Sequence, residues 1–344
     1  MNKFSEKLLD WYKLNKRQLP WRNSNNPYYV WISEIILQQT KVSTGLKYFN
    51  TFISKYPTIF DLSRSTEEEV LLIWQGLGYY SRAINILKTA KVVTNKYDGI
   101  FPDVYIDLIK LPGIGDYTAS AILSICFNKP YPVIDGNVYR VLSRYFDVNQ
   151  PINKYASKKI FYDLAKSILD LKNPGDYNEA LMEFGALNCK PLKPLCHTCV
   201  LNEKCLSFKK NIVSLRPIKV PKKQKKVRFF NYLVPFDLDN NTIIIKREDD
   251  DIWKGLYEFP LIETPKILNR DDLIYMYSLP GWAKQDGIFI GKIYEKTHNL
   301  THQELKIIFW LFKNVNYKFN FSLNSLRSYP LPKIIVEFLD NLVL

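Results

Sequence analysis

Four of the five cysteines in this 344-residue chain crowd into one short stretch, Cys189, Cys196, Cys199 and Cys205, spaced C-x6-C-x2-C-x5-C. Soft thiolate donors this close together can close around one compact metal centre. Structural zinc usually shows two tight C-x2-C pairs, and only Cys196 and Cys199 are so close here, so the spacing favours one four-iron [4Fe-4S] cluster with zinc as runner-up. A chance gathering of unliganded thiols is the remaining reading. His197 is read as a bystander, because four cysteines already satisfy a metal, and Cys126, inside an apolar run, as core. The loop between the first two ligands carries Lys190 and Lys193, a cationic face suited to phosphates.

A second anion-seeking feature is Leu111-Pro-Gly-Ile-Gly-Asp-Tyr-Thr-Ala119, set between two helical segments. Gly113 and Gly115 permit a tight turn whose backbone N–H groups point outward at a helix start, which is an anion site. Two glycines between helices more often mark an ordinary turn; the downstream cysteines strengthen the phosphate-binding reading.

The elements that must position these groups follow from periodicity. From residue 1 to about 208 apolar residues recur at three- and four-residue spacing, broken at Pro27, Pro57, Pro102, Pro112 and Pro174, which predicts an all-helical domain over 1–210. Arg216 to Arg228 holds two prolines and seven basic residues with no acid, so 211–228 reads as an extended basic linker. Beyond it, 229–236 and 242–246 look like strands joined across Asp239-Asn240-Asn241, with more strands near 288–294 and 305–312. The second domain, 229–344, is therefore predicted to be mixed α+β.

Composition sets outer bounds. With 47% apolar and 15% aromatic residues the chain is not disordered at large, and its length suits about two domains. Lys and Arg outnumber Asp and Glu by 48 to 34, a formal charge of +14 that favours a polyanionic partner, nucleic acid first. A Lys-rich solvated surface is the alternative. Lys3, Glu6, Lys7 and Asp10 interrupt any apolar core at the N-terminus, and no stretch approaches a membrane span. Clustered cysteines suit a reducing compartment, so a cytoplasmic protein without a membrane partner is expected.

The hairpin, the segment Val133-Ile-Asp-Gly-Asn-Val138 and the cysteine spacing together resemble the helix-hairpin-helix DNA glycosylase superfamily that carries an iron–sulfur cluster. Within it, Leu19-Pro-Trp-Arg22, Glu34-Ile-Ile-Leu-Gln-Gln-Thr40 and Gly76-Leu-Gly-Tyr-Tyr-Ser-Arg82 are similar to the adenine-DNA glycosylases of the MutY type. The match is close over the first domain and looser over the second. It implies an all-α helix-hairpin-helix glycosylase domain with an iron–sulfur cluster loop, followed by an α+β Nudix-like domain. The implied partner is double-stranded DNA carrying an adenine mispair, bound by a monomer.

Hydrolysis of an N-glycosidic bond needs a proton for the leaving base and negative charge beside the cationic sugar, so two carboxylates in different environments are expected. Glu34 sits in a helical run with Val30, Trp31 and Leu37, company that should raise its pKa and keep it protonated as the general acid toward adenine N7. Asp135 opens a predicted helix over 137–145, and as an N-cap it should have a depressed pKa and stay ionised. The resemblance assigns it stabilisation or transient trapping of the oxocarbenium ion, with Asn137 orienting the reacting groups.

Position 117 separates two relatives. In the endonuclease III type the matching residue is a Schiff-base lysine, whereas here it is Tyr117, which implies a monofunctional enzyme that leaves an abasic site. Tyr117 itself reads equally as an active-site hydrogen-bond partner or as a half-buried helical aromatic. The resemblance further implies that Gln39 and Tyr79 fill the gap left by an extruded adenine and that Arg22 and Glu179 line its pocket. Trp253-Lys-Gly-Leu-Tyr-Glu-Phe-Pro260 resembles part of the family's Nudix-like domain, but the acidic Nudix box is absent, so no diphosphatase activity is expected. The implied task there is recognition of 8-oxoguanine by Leu300-Thr301-His302, where Thr301 and His302 keep a hydroxyl and an imidazole but Leu300 replaces an aromatic. The expectation is a base-excision glycosylase for adenine opposite 8-oxoguanine or guanine. Its competitors are an endonuclease III-like pyrimidine glycosylase/lyase and a non-catalytic DNA-binding or redox protein.

Overall fold

The computed structural model describes residues 3–22, 24–221, 224–284 and 288–342. Met1, and Lys222 and Lys223 of the predicted linker, lie outside the described residues. In chain order the helices are α1 Lys3–Asn15, α2 Pro27–Leu37, α3 Val42–Lys55, α4 Ile59–Ser63, α5 Glu67–Trp74, α6 Ser81–Tyr97, α7 Tyr105–Leu108, α8 Asp116–Phe127, α9 Gly136–Tyr145, α10 Tyr155–Ser167, α11 Pro174–Leu187, α12 Leu206–Lys209, α13 Arg270–Met276 and α14 Lys333–Asn341. The strands are β1 Lys226–Pro235, β2 Asn241–Thr242, β3 Ile245–Lys246, β4 Tyr257–Glu258, β5 Leu261–Thr264, β6 Ile288–Asn299, β7 Gln303–Lys313 and β8 Phe321–Ser322. The chain divides into two compact units, residues 1–64 with 85–221, and residues 65–84 with 222–344.

Prolines start helices in the first unit. Pro27 occupies the first turn of α2 behind the Asn26 cap, whose side chain accepts from Tyr28 N, and Pro174 occupies the first turn of α11 behind Asn173, which makes no side-chain cap bond. Phe4, Leu8 and Tyr12 of α1 pack with Val138, Val141 and Leu142 of α9, Phe161 of α10 and Tyr177, Leu181 and Phe184 of α11 in one apolar cluster. Each large side chain so buried contributes roughly 1.5–3 kcal/mol. Helix α8 is buried from Thr118 to Ser124 because it packs against both α2 and α11. Helices α9 and α11 approach closely only because residue 185 is glycine, since a Cβ there would meet Asn137 Cβ at 2.6 Å and its carbonyl oxygen at 3.0 Å.

The second unit is built on a sheet of order β5-β1-β7-β6. Strand β1 runs parallel to β7, from Lys226 opposite Gln303 to Pro235 opposite Phe312, and β6 and β7 form a hairpin turning at Leu300-Thr301-His302. Leu233, Trp310, Phe312 and Trp282 pack in one of its apolar cores. Residues 65–84 belong to this unit through polar contacts: Glu68 accepts from Lys246 Nζ at 2.8 Å and Tyr257 OH at 2.7 Å, and Gln75 Oε1 accepts from Leu331 N at 3.1 Å.

Two sequence expectations need correcting. Strands 229–236 and 242–246 do not form a hairpin, for β1 pairs with β5 and β7, Thr242 pairs with Phe321, and Ile245 pairs with Glu258. The Asp237 carboxylate turns the chain away from β1 by accepting from the N–H groups of Asp239, Asn241 and Phe319 at 2.9, 2.8 and 3.2 Å. Strand β1 also starts at Lys226, inside the predicted linker, because β7 supplies a ladder that a local reading of charges and prolines does not reveal. Among the described residues no helix is long and apolar enough to cross a membrane.

Candidate active site

A cleft of about 1020 Å³ in the first unit collects side chains from six separate stretches of chain, among them Arg22, Glu34, Gln39, Tyr117, Asp135, Asn137 and Glu179. These are the residues expected there from the sequence. The cleft also gathers Arg17, Arg140 and Glu183, which the sequence reading did not single out.

Glu34 projects from the buried face of α2 and is only 7% exposed. Packing of α8 on α2 brings the Tyr117 hydroxyl to it, donating to Glu34 Oε2 at 2.5 Å and lying 3.5 Å from the Met182 sulfur. Burial pushes the Glu34 carboxyl up to about 7; the Tyr117 hydrogen bond opposes this, and the negative charges of Glu179 and Asp135 reinforce it. Tyr117 is driven well above its ordinary pKa, first by burial and then by Glu34, so its phenol stays a proton donor. A carboxyl in this range is poised to exchange a proton near neutrality.

Asp135 caps α9, accepting from Asn137 N at 2.8 Å and Val138 N at 2.7 Å, and its other oxygen accepts from Asn137 Nδ2 at 2.6 Å. The expected depression of its pKa is not found. Burial raises the carboxyl above its ordinary value, outweighing these three donors and the nearby Arg140 charge. Capping lowers a carboxyl pKa reliably at exposed helix ends, whereas this cap lies inside the cleft wall. Arg140 supports the arrangement from behind: its guanidinium donates to Asn137 Oδ1 at 2.8 Å, to the Gly185 carbonyl at 2.6 Å and to the Cys189 carbonyl at 2.7 Å.

Opposite these groups, α11 presents Glu179 and Glu183 one turn apart. Arg22 Nε donates to Glu179 at 3.2 Å and Arg22 Nη2 to Glu183 at 3.1 Å, while Tyr12 OH donates to Glu179 at 2.9 Å. Arg17 grips Glu183 through its backbone N, Nε and Nη2 at 2.9, 2.8 and 2.6 Å. Although burial is the largest influence on Glu183 and acts upward, the combined bonds and charge of Arg17 and Arg22 prevail and hold it down at about 2. In Glu179 burial prevails and the carboxyl is raised. The i, i+4 pair of acids was visible in the sequence; its partners Arg17 and Tyr12, more than 150 positions away, left no local signal.

The glycine turn lies at the start of α8. Gly113 has φ +76°, and a Cβ there would strike Asn85 Cβ at 2.8 Å, so the turn requires glycine. Gly115 is the N-cap, with no side-chain cap bond and nothing within 4 Å of a Cβ, which leaves the first-turn N–H groups approachable. Gln39, on the cleft rim, holds a left-handed φ of 61°, a conformation that non-glycine residues keep only when their surroundings enforce it. In the second unit Tyr79 is likewise left-handed, with φ 49°, and its hydroxyl is hydrogen-bonded to Thr301 Oγ1. His302 is exposed in the same β6–β7 turn, and His298 packs edge-on to Trp253 at 5.9 Å.

Cys189, Cys196, Cys199 and Cys205 all line one pocket walled by Val141, Phe184, Leu201, Phe208 and Val213. Among the described residues no three His, Cys, Asp or Glu side chains converge as a site for a single metal ion. A polynuclear iron–sulfur cluster is held by four cysteine thiolates. The donors present suit such a group: Arg144 Nη1 points at Cys189 Sγ from 3.5 Å and Leu201 N donates to Cys199 Sγ at 3.4 Å, N–H contacts of the kind that surround cluster sulfurs.

Two family models match the chain. Residues 32–166 match the model of the HhH-GPD superfamily base excision DNA repair proteins, and residues 231–341 match the NUDIX domain. An adenine DNA glycosylase of Buchnera aphidicola subsp. Schizaphis graminum is 39% identical over 314 residues, spanning 89% of this chain and 86% of that relative. Another, from Buchnera aphidicola subsp. Acyrthosiphon pisum, is 35% identical over 98% of this chain and 97% of its own. Among solved structures a thermostable thymine-DNA glycosylase superposes with a TM-score of 0.56 at 30% identity, covering 60% of this chain and 95% of that one.

Proposed function

The chain belongs to the adenine DNA glycosylase family, and from that premise we propose that it is a monofunctional enzyme of base-excision repair, releasing adenine mispaired with 8-oxoguanine or guanine. The observation that carries the reading is the pairing, in one cleft, of a buried carboxyl that titrates at about 7 with a second carboxylate held by three donors.

In this mechanism an adenine nucleotide leaves the duplex and enters the cleft, where Arg22 and Glu179 meet its edge, while Gln39 and Tyr79 take the vacated space. Glu34 gives its proton to N7, the bond between adenine and C1′ breaks with its electron pair on the base, and the sugar becomes an oxocarbenium ion. Asp135 carries the compensating negative charge, or bonds C1′ briefly, oriented by Asn137. Water then adds to C1′ and loses a proton to a carboxylate, leaving an abasic site. Tyr117 keeps Glu34 in place and offers no amine, so the strand is not cut. Gly113 and Gly115 bind phosphate, and Thr301 and His302 read the opposite base, beside Leu300 in place of the family's aromatic. One [4Fe-4S] cluster held by Cys189, Cys196, Cys199 and Cys205 would clamp the loop bearing Lys190 and Lys193. The protein acts as a monomer, in the compartment that holds the DNA.

The test is a single-turnover assay on duplexes with adenine opposite 8-oxoguanine, guanine or thymine, developed with alkali to reveal abasic sites. The expected order of rates is 8-oxoguanine, guanine, then thymine. Absence of release from the first duplex refutes the assignment.

A further inference from the structure

Glu179 and Glu183 differ in one countable respect. An ionised carboxylate offers about four acceptor positions. On Glu183 four donors occupy them, Arg17 N and Nε on Oε1 and Arg17 Nη2 and Arg22 Nη2 on Oε2. Among the described residues two donors meet Glu179, Arg22 Nε on Oε1 and Tyr12 OH on Oε2. Both residues line the cleft, with side chains 14% exposed for Glu179 and 1% for Glu183. Glu183 is therefore saturated and shut away, and Glu179 keeps acceptor capacity that a base can meet.

The two states are coupled through Arg22. Its fork is split, one nitrogen on each carboxylate, and its third nitrogen is tied to the Arg17 carbonyl at 3.3 Å. Guanidinium and carboxylate pair most strongly side by side, through two parallel bonds. Without the pull of Glu183, Arg22 would close onto Glu179 in that bidentate form, adding Nη2 to the Nε already there and filling one of its two open positions.

We propose that Glu183 is a positioning residue for base specificity: by drawing Arg22 aside it keeps Glu179 open as an acceptor, so that the cleft selects a purine bearing a 6-amine over one bearing a 6-oxo group. This rests on the adenine-glycosylase reading and adds to it the reason a second, buried acid stands behind the one that faces the base. A 6-amine donates to Glu179, whereas a 6-oxo group sets acceptor against acceptor, which costs the pocket an unmet hydrogen bond.

The test compares wild type with Glu183→Gln on duplexes carrying adenine or hypoxanthine at the same site, and on a duplex carrying an abasic site. Wild-type excision of adenine is the arm that tests the function itself. For the variant, adenine excision at saturating enzyme is expected to fall roughly 10- to 100-fold, with the preference for adenine over hypoxanthine shrinking by a similar factor. Affinity for the abasic duplex, which has no base to read, is expected to change less than about twofold. Binding of duplexes with non-cleavable 2′-fluorinated adenosine or inosine analogues gives the same comparison without chemistry, and remains decisive even if wild type releases no adenine. Glu183→Asp, which keeps the charge one methylene short, is expected to fall between the two and carries the comparison should the amide variant not fold. An unchanged adenine-to-hypoxanthine preference overturns the proposal. So does an equal loss on both bases and the abasic duplex, which would make Glu183 a support of the fold alone.

Discussion

Glu34→Gln separates the chemistry of the cleft from its folding, because the two effects have opposite sign. Burial raises the Glu34 carboxyl from 4.5 to about 7 in the folded protein. The folded state thus binds this proton more tightly than the unfolded chain, and Glu34's contribution to stability is fully present below about pH 4.5 and is lost as pH rises through about 7. Each tenfold difference in proton affinity is worth about 1.36 kcal/mol, so between pH 5 and pH 8.5 wild type is expected to lose about 2 to 3 kcal/mol from this residue alone. A glutamine has no proton to lose over that range. Urea unfolding of both proteins at the two pH values measures the difference of differences, which cancels any fixed cost of the amide in that position. The expected result is a variant more stable relative to wild type at pH 8.5 than at pH 5, with adenine release slowed roughly 10²- to 10⁴-fold and DNA binding retained. Parallel stability–pH curves for the two proteins would refute the argument that burial holds Glu34 near neutrality.

Three further outcomes follow from the same geometry. Tyr117→Lys places an amine beside Glu34, so borohydride should trap a covalent DNA adduct with this variant and none with wild type; adducts with wild type would restore the lyase reading. Asp135→Asn keeps a side chain that caps α9 nearly as well, so thermal stability should hold while excision falls roughly 10²- to 10³-fold, and a cooperative loss of folding instead would make Asp135 a structural cap only. Cys199→Ser should reduce bound iron and acid-labile sulfide well below the four of each expected per wild-type chain; a wild-type protein that carries zinc and no sulfide rules the cluster out.

How much of this was legible beforehand divides along the range of the interactions. The burial of Glu34 could be read from Val30, Trp31 and Leu37 on adjoining turns, and helix starts at Pro27 and Pro174 follow from proline's fixed φ. The Asp135 cap was equally local, yet its raised pKa was not, because burial there comes from α11 packing across the glycine at 185. Arg17, Tyr12 and Arg140 escaped for a related reason: each meets its partner across 40 to 170 intervening residues, and a single basic or phenolic side chain on a helix carries no mark of what it will face. The β1–β7 pairing, parallel and about 77 positions apart, lay beyond a reading by alternation, which favours neighbours in sequence. The same holds for residues 65–84, whose place in the second unit depends on Glu68 meeting Lys246 and Tyr257.

The proposed chemistry stands on the protonation of two carboxyls, and ¹³C NMR of side-chain carboxyls reads both, with Glu34 and Asp135 assigned by their loss in Glu34→Gln and Asp135→Asn. A Glu34 resonance that titrates near pH 7 and an Asp135 resonance already ionised there are expected. A Glu34 carboxyl titrating in the ordinary range near 4 to 5, or an Asp135 that stays protonated at neutrality, would contradict the division of roles between the two acids.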